Sequence, residues 1–230
     1  MCGRYTLLDV QQAEKALRRL GVIIKDGLPV RYNVAPTQTM PVVVGLANGP
    51  ILLAMRWGSH WRDDQGKVQL SINARSEKAT FTRFKHAVTQ RRCIVPADGF
   101  FEWDRSKKPS TPYLFRMAMT ETFWMAGAWE ERTAEFPDGY LVFTTAPNAL
   151  IAPIHDRMPA ILTDEAARAW LQPGPIATSQ IKELCATYPA DKMNALIVGP
   201  AVNNARNDGP ECVAPAGPIP SETPDQGLLF

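Results

Sequence analysis

Pro41-Val42-Val43-Val44-Gly45-Leu46, Ala47-Asn48-Gly49-Pro50 and Ile51-Leu52-Leu53-Ala54-Met55-Arg56-Trp57 are three consecutive pieces, and their reading decides the fold. Two apolar runs of strand length flank an Asn-Gly turn, which predicts a β-hairpin. Further short runs with the same character lie at Tyr113–Met117, Phe123–Trp129, Tyr140–Thr145 and Ala195–Val198. Cys93, in Cys93-Ile94-Val95-Pro96, reads as a buried strand residue. Helical patterns are fewer. Asp9 to Leu20 carries an apolar stripe of Ala13, Ala16, Leu17 and Leu20, and Gly21 ends it. A second helix is predicted from about Glu77 to Val88, and a short one around Ser179–Ala186. Another begins at Thr163, which can cap while Asp164 and Glu165 favour the first turn. Many short strands with interspersed helices predict an α+β single domain with a curved antiparallel sheet or open β-barrel core and peripheral helices.

The totals narrow the function. The chain has 230 residues and a formal net charge of only +2, so an anionic partner must be held by a local patch. No apolar run reaches the ~18 residues of a membrane span. Leu7-Leu8 is followed at once by Asp9, so no signal-peptide core is expected, and a cytoplasmic protein with reduced thiols is. Cys2, Cys93, Cys185 and Cys212 form no Cys-x-x-Cys pair, and His60, His86 and His155 are scattered, so neither a metal site nor a cofactor is expected.

Cys2 stands directly after Met1. Removal of Met1 is expected, because the second side chain is small. Cys2 would then carry a free α-amine and a thiol on one residue, a 1,2-aminothiol able to close a five-membered thiazolidine on an aldehyde. Such an amine titrates near about 7.7–8.0, so a useful fraction is nucleophilic at neutral pH. The thiol, near ~8.5, is less ionised but intrinsically strong.

Polar motifs punctuate the apolar runs at Arg31–Pro36, Ile72–Glu77, Pro96–Trp103, Ile154–Pro159 and Val202–Asp208. Glu102 lies between Phe101 and Trp103, where aromatic neighbours can desolvate a carboxyl and suit it to acid–base work; plain strand alternation would face it to water instead. His155, before Asp156-Arg157, can shuttle a proton or serve as a loop histidine. Asn73 beside Arg75 reads as a polar anchor plus a phosphate contact, or as a turn residue and a solvated arginine. Trp57 and Trp61 flank Gly58-Ser59-His60 on a loop after a strand. Trp57 ends an apolar run and suits a core, whereas Trp61 suits stacking on a base. Arg83, Lys85, His86, Arg91 and Arg92 form a basic cluster, of the kind that is usually a solvated helix face.

In their order these motifs resemble the SOS response-associated peptidase (SRAP) family, from Cys2-Gly3-Arg4-Tyr5 through Arg31–Pro36, Trp57-Gly58, Ile72–Glu77, Arg92–Trp103 and His155–Pro159 to Val202–Glu211. The resemblance implies the SRAP fold over residues 1–213 and a sensor of abasic sites in single-stranded DNA. It implies Cys2 as the nucleophile that forms a stable thiazolidine cross-link, Asn73 as the group orienting the N-terminus and sugar, Glu102 as the acid–base group, and His155 as the residue assisting ring opening. Arg4, Arg75 and Arg157 would contact DNA phosphates, and Pro36 and Trp61 would also bind DNA. The activity implied is lyase- or peptidase-like, with autoprocessing at Met1. The loop between Trp57-Gly58 and Trp61 is shorter than the family's usual Trp-Gly-Leu-Ile-Pro-Ser-Trp. An N-terminal-nucleophile peptidase acting on proteins is the alternative, since it would use Cys2 and Glu102 but not the arginines.

Residues 214–230 change character, being rich in Pro, Ala, Gly, Ser and Thr, and read as a flexible tail. The tail ends in Gln226-Gly227-Leu228-Leu229-Phe230. Gln226, Leu229 and Phe230 resemble the peptide by which bacterial repair proteins bind the replication sliding clamp, which would bring a monomer to replication forks at the nucleoid.

Overall fold

The predicted hairpin forms over residues 39–57, with Thr39 opposite Arg56 at its open end and Leu46 opposite Gly49 at its turn. The computed structural model describes residues 2–81 and 84–216. In chain order its elements are β1 (Tyr5–Leu7), α1 (Val10–Arg19), β2 (Arg31–Val34), β3 (Thr39–Leu46), β4 (Gly49–Trp57), β5 (Ser59–Arg62), β6 (Val68–Ser71) and β7 (Asn73–Arg75). A 3-10 turn (Ser76–Phe81) leads to α2 (Lys85–Gln90), β8 (Arg92–Ala97), β9 (Gly99–Asp104), β10 (Thr111–Met117), β11 (Phe123–Glu130) and β12 (Gly139–Thr145). Then come β13 (Met158–Pro159), β14 (Ile161–Leu162), α3 (Asp164–Leu171), α4 (Thr178–Leu184), β15 (Met193–Ile197) and 3-10 turns at Pro200–Asn203 and Pro210–Cys212.

The fold is the single α+β domain that the strand pattern predicts, but its larger sheet closes. Strands run β12-β4-β3-β8-β11, and β11 pairs back onto β12, so the ring is a closed barrel rather than an open one. Closure relieves these strands of edges on both sides. Every residue of β8 and β12 is buried, whereas β4 keeps partly exposed positions. The closing contact between β12 and β4 is parallel, with Gly139 opposite Arg56. A side chain at Gly139 would put its Cβ 2.2 Å from the Gly58 oxygen, so glycine is what lets the two strands meet. At the outside of the barrel Gly45 plays the same part, since a Cβ there would lie 1.7 Å from the Leu171 oxygen of α3.

The second sheet has the order β15-β10-β9-β1-β2. β1 lies between β9 and β2 and is not an edge strand, and Cys2 just before it is already buried. Asp9 caps α1 by accepting from the Gln12 N–H, and Thr163 caps α3 through the Ala166 N–H. The apolar stripe of α1 is buried as its spacing predicts.

The predicted helix over 77–88 divides into the Ser76–Phe81 turn and α2. Its buried residues give the reason. Ala79, Phe84, Ala87 and Val88 all face the interior. One continuous helix at 3.6 residues per turn would carry Ala79 and Val88 on opposite sides. Residues 214–216 stay bonded to the fold, with the Gly199 N–H donating to the Ala214 oxygen and the Ala216 N–H to the Ile197 oxygen. Arg83 of the basic cluster and the clamp-like residues Gln226, Leu229 and Phe230 lie outside the described residues.

Candidate active site

Cys2 is fully buried at the entry to β1. Its backbone is fixed by two neighbours. The Phe101 N–H of β9 donates to the Arg4 oxygen at 3.0 Å, which extends the ladder past β1. Asn73, at the start of β7, donates from Nδ2 to the Cys2 oxygen at 2.7 Å. That bond settles the amide orientation, because a carbonyl can only accept. Asn73 Oδ1 is therefore an acceptor, and it is buried without a hydrogen-bond partner among the described residues. The strand carrying Asn73 is itself held by the core. Trp57 is fully buried, and its Nε1–H and the Val142 N–H both donate to the Ile72 oxygen at 3.0 Å. The Cys2 thiol donates to the Arg4 oxygen at 3.7 Å, and burial together with the nearby Glu102 carboxyl pushes its pKa far up. At neutral pH it is a thiol, not a thiolate.

Glu102 is only 2% exposed, so the strand alternation that would have placed it in water does not apply. It sits on β9 opposite Tyr113 of β10. Desolvation raises its pKa from the ordinary 4.5 to about 7, with the Arg105 guanidinium opposing the rise. Near neutral pH the carboxyl is thus divided between its two protonation states, as an acid–base group must be.

His155 is mostly buried, and burial lowers its pKa, so the imidazole is neutral at pH 7. The Arg157 N–H donates to its Nδ1 at 3.0 Å. Arg157 itself is 8% exposed, and its two terminal guanidinium nitrogens face the Glu77 carboxylate at 2.5 and 2.7 Å. This differs from the open phosphate contact expected of it; Arg75, by contrast, is exposed at the end of β7.

An open cleft of about 570 Å³ reaches Glu102, with Arg4, Pro36, Trp103, Arg105 and Asn203 also in its wall; Cys2, Asn73 and His155 do not line it. Arg4 donates to the Asn33 Oδ1 at 3.1 Å and the Val202 oxygen at 2.7 Å, and its guanidinium lies 5.9 Å from the centre of the Trp103 ring. Trp103 in turn donates to Asn203 at 2.6 Å. Trp61 stands apart from the cleft. It lies in β5 rather than on a loop, because β5 and β6 form their own two-stranded sheet with Trp61 opposite Gln69. Its Nε1–H donates to Ser71 at 3.0 Å.

Two residues of the site were not singled out from the sequence. Arg105, whose charge acts on both Glu102 and His155, stands three positions after Glu102 in a polar turn. Glu77 closes the Asn73–Glu77 motif but gains its meaning only from Arg157, 80 positions away. The Val202–Asp208 motif proves architectural. Asp208 accepts from the Tyr32 and Asn33 N–H groups, and Asn33 Nδ2 donates to the Asn204 and Asn207 oxygens, tying the C-terminal turns to β2.

The profile of the SOS response associated peptidase (SRAP) family matches residues 1–205. The chain belongs to the SRAP family. Among SRAP relatives, the abasic site processing protein YoqW of Bacillus subtilis is 34% identical over 223 residues, covering 93% of this chain and 99% of the relative. The abasic site processing protein YedK of Escherichia coli is 32% identical, covering 94% and 100%. HMCES of Xenopus tropicalis, also named an abasic site processing protein, is 33% identical and covers 80% and 65%. A solved structure from Bacteroides thetaiotaomicron shares the fold with a TM-score of 0.77 at 23% identity, covering 94% of this chain and 100% of that one. A phage-related protein from Bordetella bronchiseptica gives 0.66 at 27% identity, covering 86% and 94%.

No helix among the described residues is long and apolar enough to cross a membrane.

Proposed function

We propose that this chain processes abasic sites in single-stranded DNA by capturing the ring-opened sugar on Cys2, once Met1 has been removed, as a thiazolidine. The observation that carries the reading is the convergence on Cys2 of Asn73, which holds its carbonyl, and Glu102, a buried carboxyl poised near neutrality. The names of the SRAP relatives give the substrate class.

The order of events follows from the protonation states. The closed hemiacetal opens when a proton reaches its ring oxygen and one leaves its hydroxyl, and protonated Glu102 and neutral His155 are the groups suited to that exchange. The raised thiol pKa makes the α-amine the first nucleophile. The amine nitrogen bonds to the aldehyde carbon, and Glu102 moves a proton from nitrogen to the departing hydroxyl, so that water leaves and an imine remains. The thiol then adds across the imine, sulfur to carbon and hydrogen to nitrogen, and the ring closes. The net change is loss of one water. Asn73 Oδ1, buried and without a hydrogen bond among the described residues, would accept from the new amine or from a sugar hydroxyl. Arg4, Arg75 and Arg105 supply positive charge for the flanking phosphates.

The test is a denaturing gel of mature protein incubated with a single-stranded oligonucleotide bearing an abasic site. Wild type gives a heat-stable shifted band without borohydride, and Cys2→Ala does not. Cleavage of a protein substrate with no DNA adduct would favour the peptidase alternative. Gln226, Leu229 and Phe230 are proposed to bind the sliding clamp, and a pull-down unchanged by deleting residues 226–230 would end that part.

A further inference from the structure

The geometry points to Glu77 and Arg157 as positioning residues that hold His155 in its Nε2–H tautomer and in register with Asn73. This rests on the proposed capture reaction, in which His155 acts as a neutral donor.

The tautomer follows from donors and acceptors. Nδ1 of His155 lies 3.0 Å from the Arg157 nitrogen and 3.0 Å from Asp156 Oδ1. A backbone N–H can only donate, so Nδ1 must accept, and the ring proton of the neutral imidazole sits on Nε2. The Asp156 carboxylate offers the opposite demand, since it would attract a proton to Nδ1. Asp156 is 77% exposed and well solvated, so its pull is weak. The outcome therefore depends on how firmly the Arg157 N–H is held in place.

It is held by its own side chain. The Arg157 guanidinium meets Glu77 through two parallel bonds of 2.5 and 2.7 Å, and it also donates to the Thr144 backbone oxygen at 2.5 Å. Paired N–H···O bonds of this kind fix orientation as well as distance. The hydrogen bonds from Arg157 keep the Glu77 carboxyl below its usual range, so the pair stays ionised through neutral pH.

Glu77 follows β7 by two residues, and β7 begins at Asn73. β12 lies between the partners, for Thr144 pairs with Arg75 of β7 and with Pro159 of β13. The ion pair thus spans the end of β12 and ties the loop bearing His155 to the strand bearing Asn73. The guanidinium engaged this way is bonded to Glu77 and Thr144 and is largely buried.

The experiment is nitrogen-15 spectroscopy of the full-length protein with labelled histidine rings, followed by capture rates on an abasic single-stranded oligonucleotide. Wild type is expected to show His155 protonated at Nε2 and unprotonated at Nδ1. In Glu77→Ala the Nδ1–H form should become populated and capture should slow by about tenfold to a hundredfold, the scale set by small displacements of reacting groups. Glu77→Gln keeps an oxygen for one guanidinium nitrogen and should fall between. The proposal is overturned if wild-type His155 carries its proton on Nδ1, or if Glu77→Ala changes neither tautomer nor rate. It is also overturned if Glu77→Ala tightens DNA binding and speeds capture, which would make Arg157 a phosphate contact. The wild-type spectrum needs neither a variant nor a reaction. An absent DNA adduct would therefore count against the capture chemistry alone.

Discussion

Asn73 donates to the carbonyl oxygen of Cys2 at 2.7 Å, linking β7 on the barrel to the residue that enters the second sheet. Seventy-one positions separate the two in sequence. The bond fixes the backbone of the residue proposed to react, and it leaves the Asn73 oxygen as a buried acceptor beside it.

Asn73→Ala removes this donor and leaves the Cys2 carbonyl unmatched. A loss of about 1 kcal/mol in stability is expected. Capture of an abasic oligonucleotide should slow far more, by about tenfold to a hundredfold, because the nucleophile is no longer oriented. Parallel thermal melts and gel rates check the split.

Glu102 makes stability fall with rising pH. Its folded pKa, about 7, lies above the ordinary 4.5, so the native state binds the proton more tightly than the unfolded chain. The contribution is neutral below about 4.5 and turns into a penalty as pH climbs to about 7 and beyond. Glu102→Gln should remove the penalty and be more stable than wild type at pH 8 by up to about 3 kcal/mol, with no advantage near pH 4. The same variant should lose capture activity. Denaturant midpoints at the two pH values decide the first claim.

Tyr5 and Tyr140 place their hydroxyls 2.9 Å apart in the fully buried core, and both rings lie against Trp57. Either single change to Phe strands the other hydroxyl and should cost about 1–3 kcal/mol. Tyr5→Phe with Tyr140→Phe should cost less than the sum of the singles. Urea unfolding of the four proteins closes the cycle.

Arg75→Ala tests the phosphate side. If Arg75 makes one phosphate contact, the slope of log K against log salt for single-stranded DNA should shrink by about 0.7. Fluorescence anisotropy across a salt series reads it directly.

Much of this was legible in the sequence, and the exceptions share a cause. The hairpin of β3 and β4, the apolar stripe of α1 and the Thr163 cap depend on neighbours a few residues away, and local pattern reveals such things. Asn73, Glu102 and His155 could be singled out as candidates because each sits in a dense polar motif between apolar runs, and Cys2 because it stands directly after Met1. Barrel closure could not, since it depends on Gly139 meeting Gly58 and on β11 returning to β12. The split of the 77–88 helix was hidden because its composition favours a helix while its burial pattern does not fit one. Trp61 gave no strand signal, because β5 is four residues long and pairs only with β6. Glu77 was not singled out and Arg157 was expected at a phosphate, because a pairing across 80 positions leaves no local signal.

Intact mass spectrometry tests the central claim most directly. Mature protein lacking Met1 is incubated with an abasic single-stranded oligonucleotide, heated, and weighed without any reducing agent. The account predicts a species equal to protein plus DNA minus one water, mapping to Cys2 after digestion. Free protein and free DNA alone, or an adduct that survives only after borohydride reduction, would contradict it.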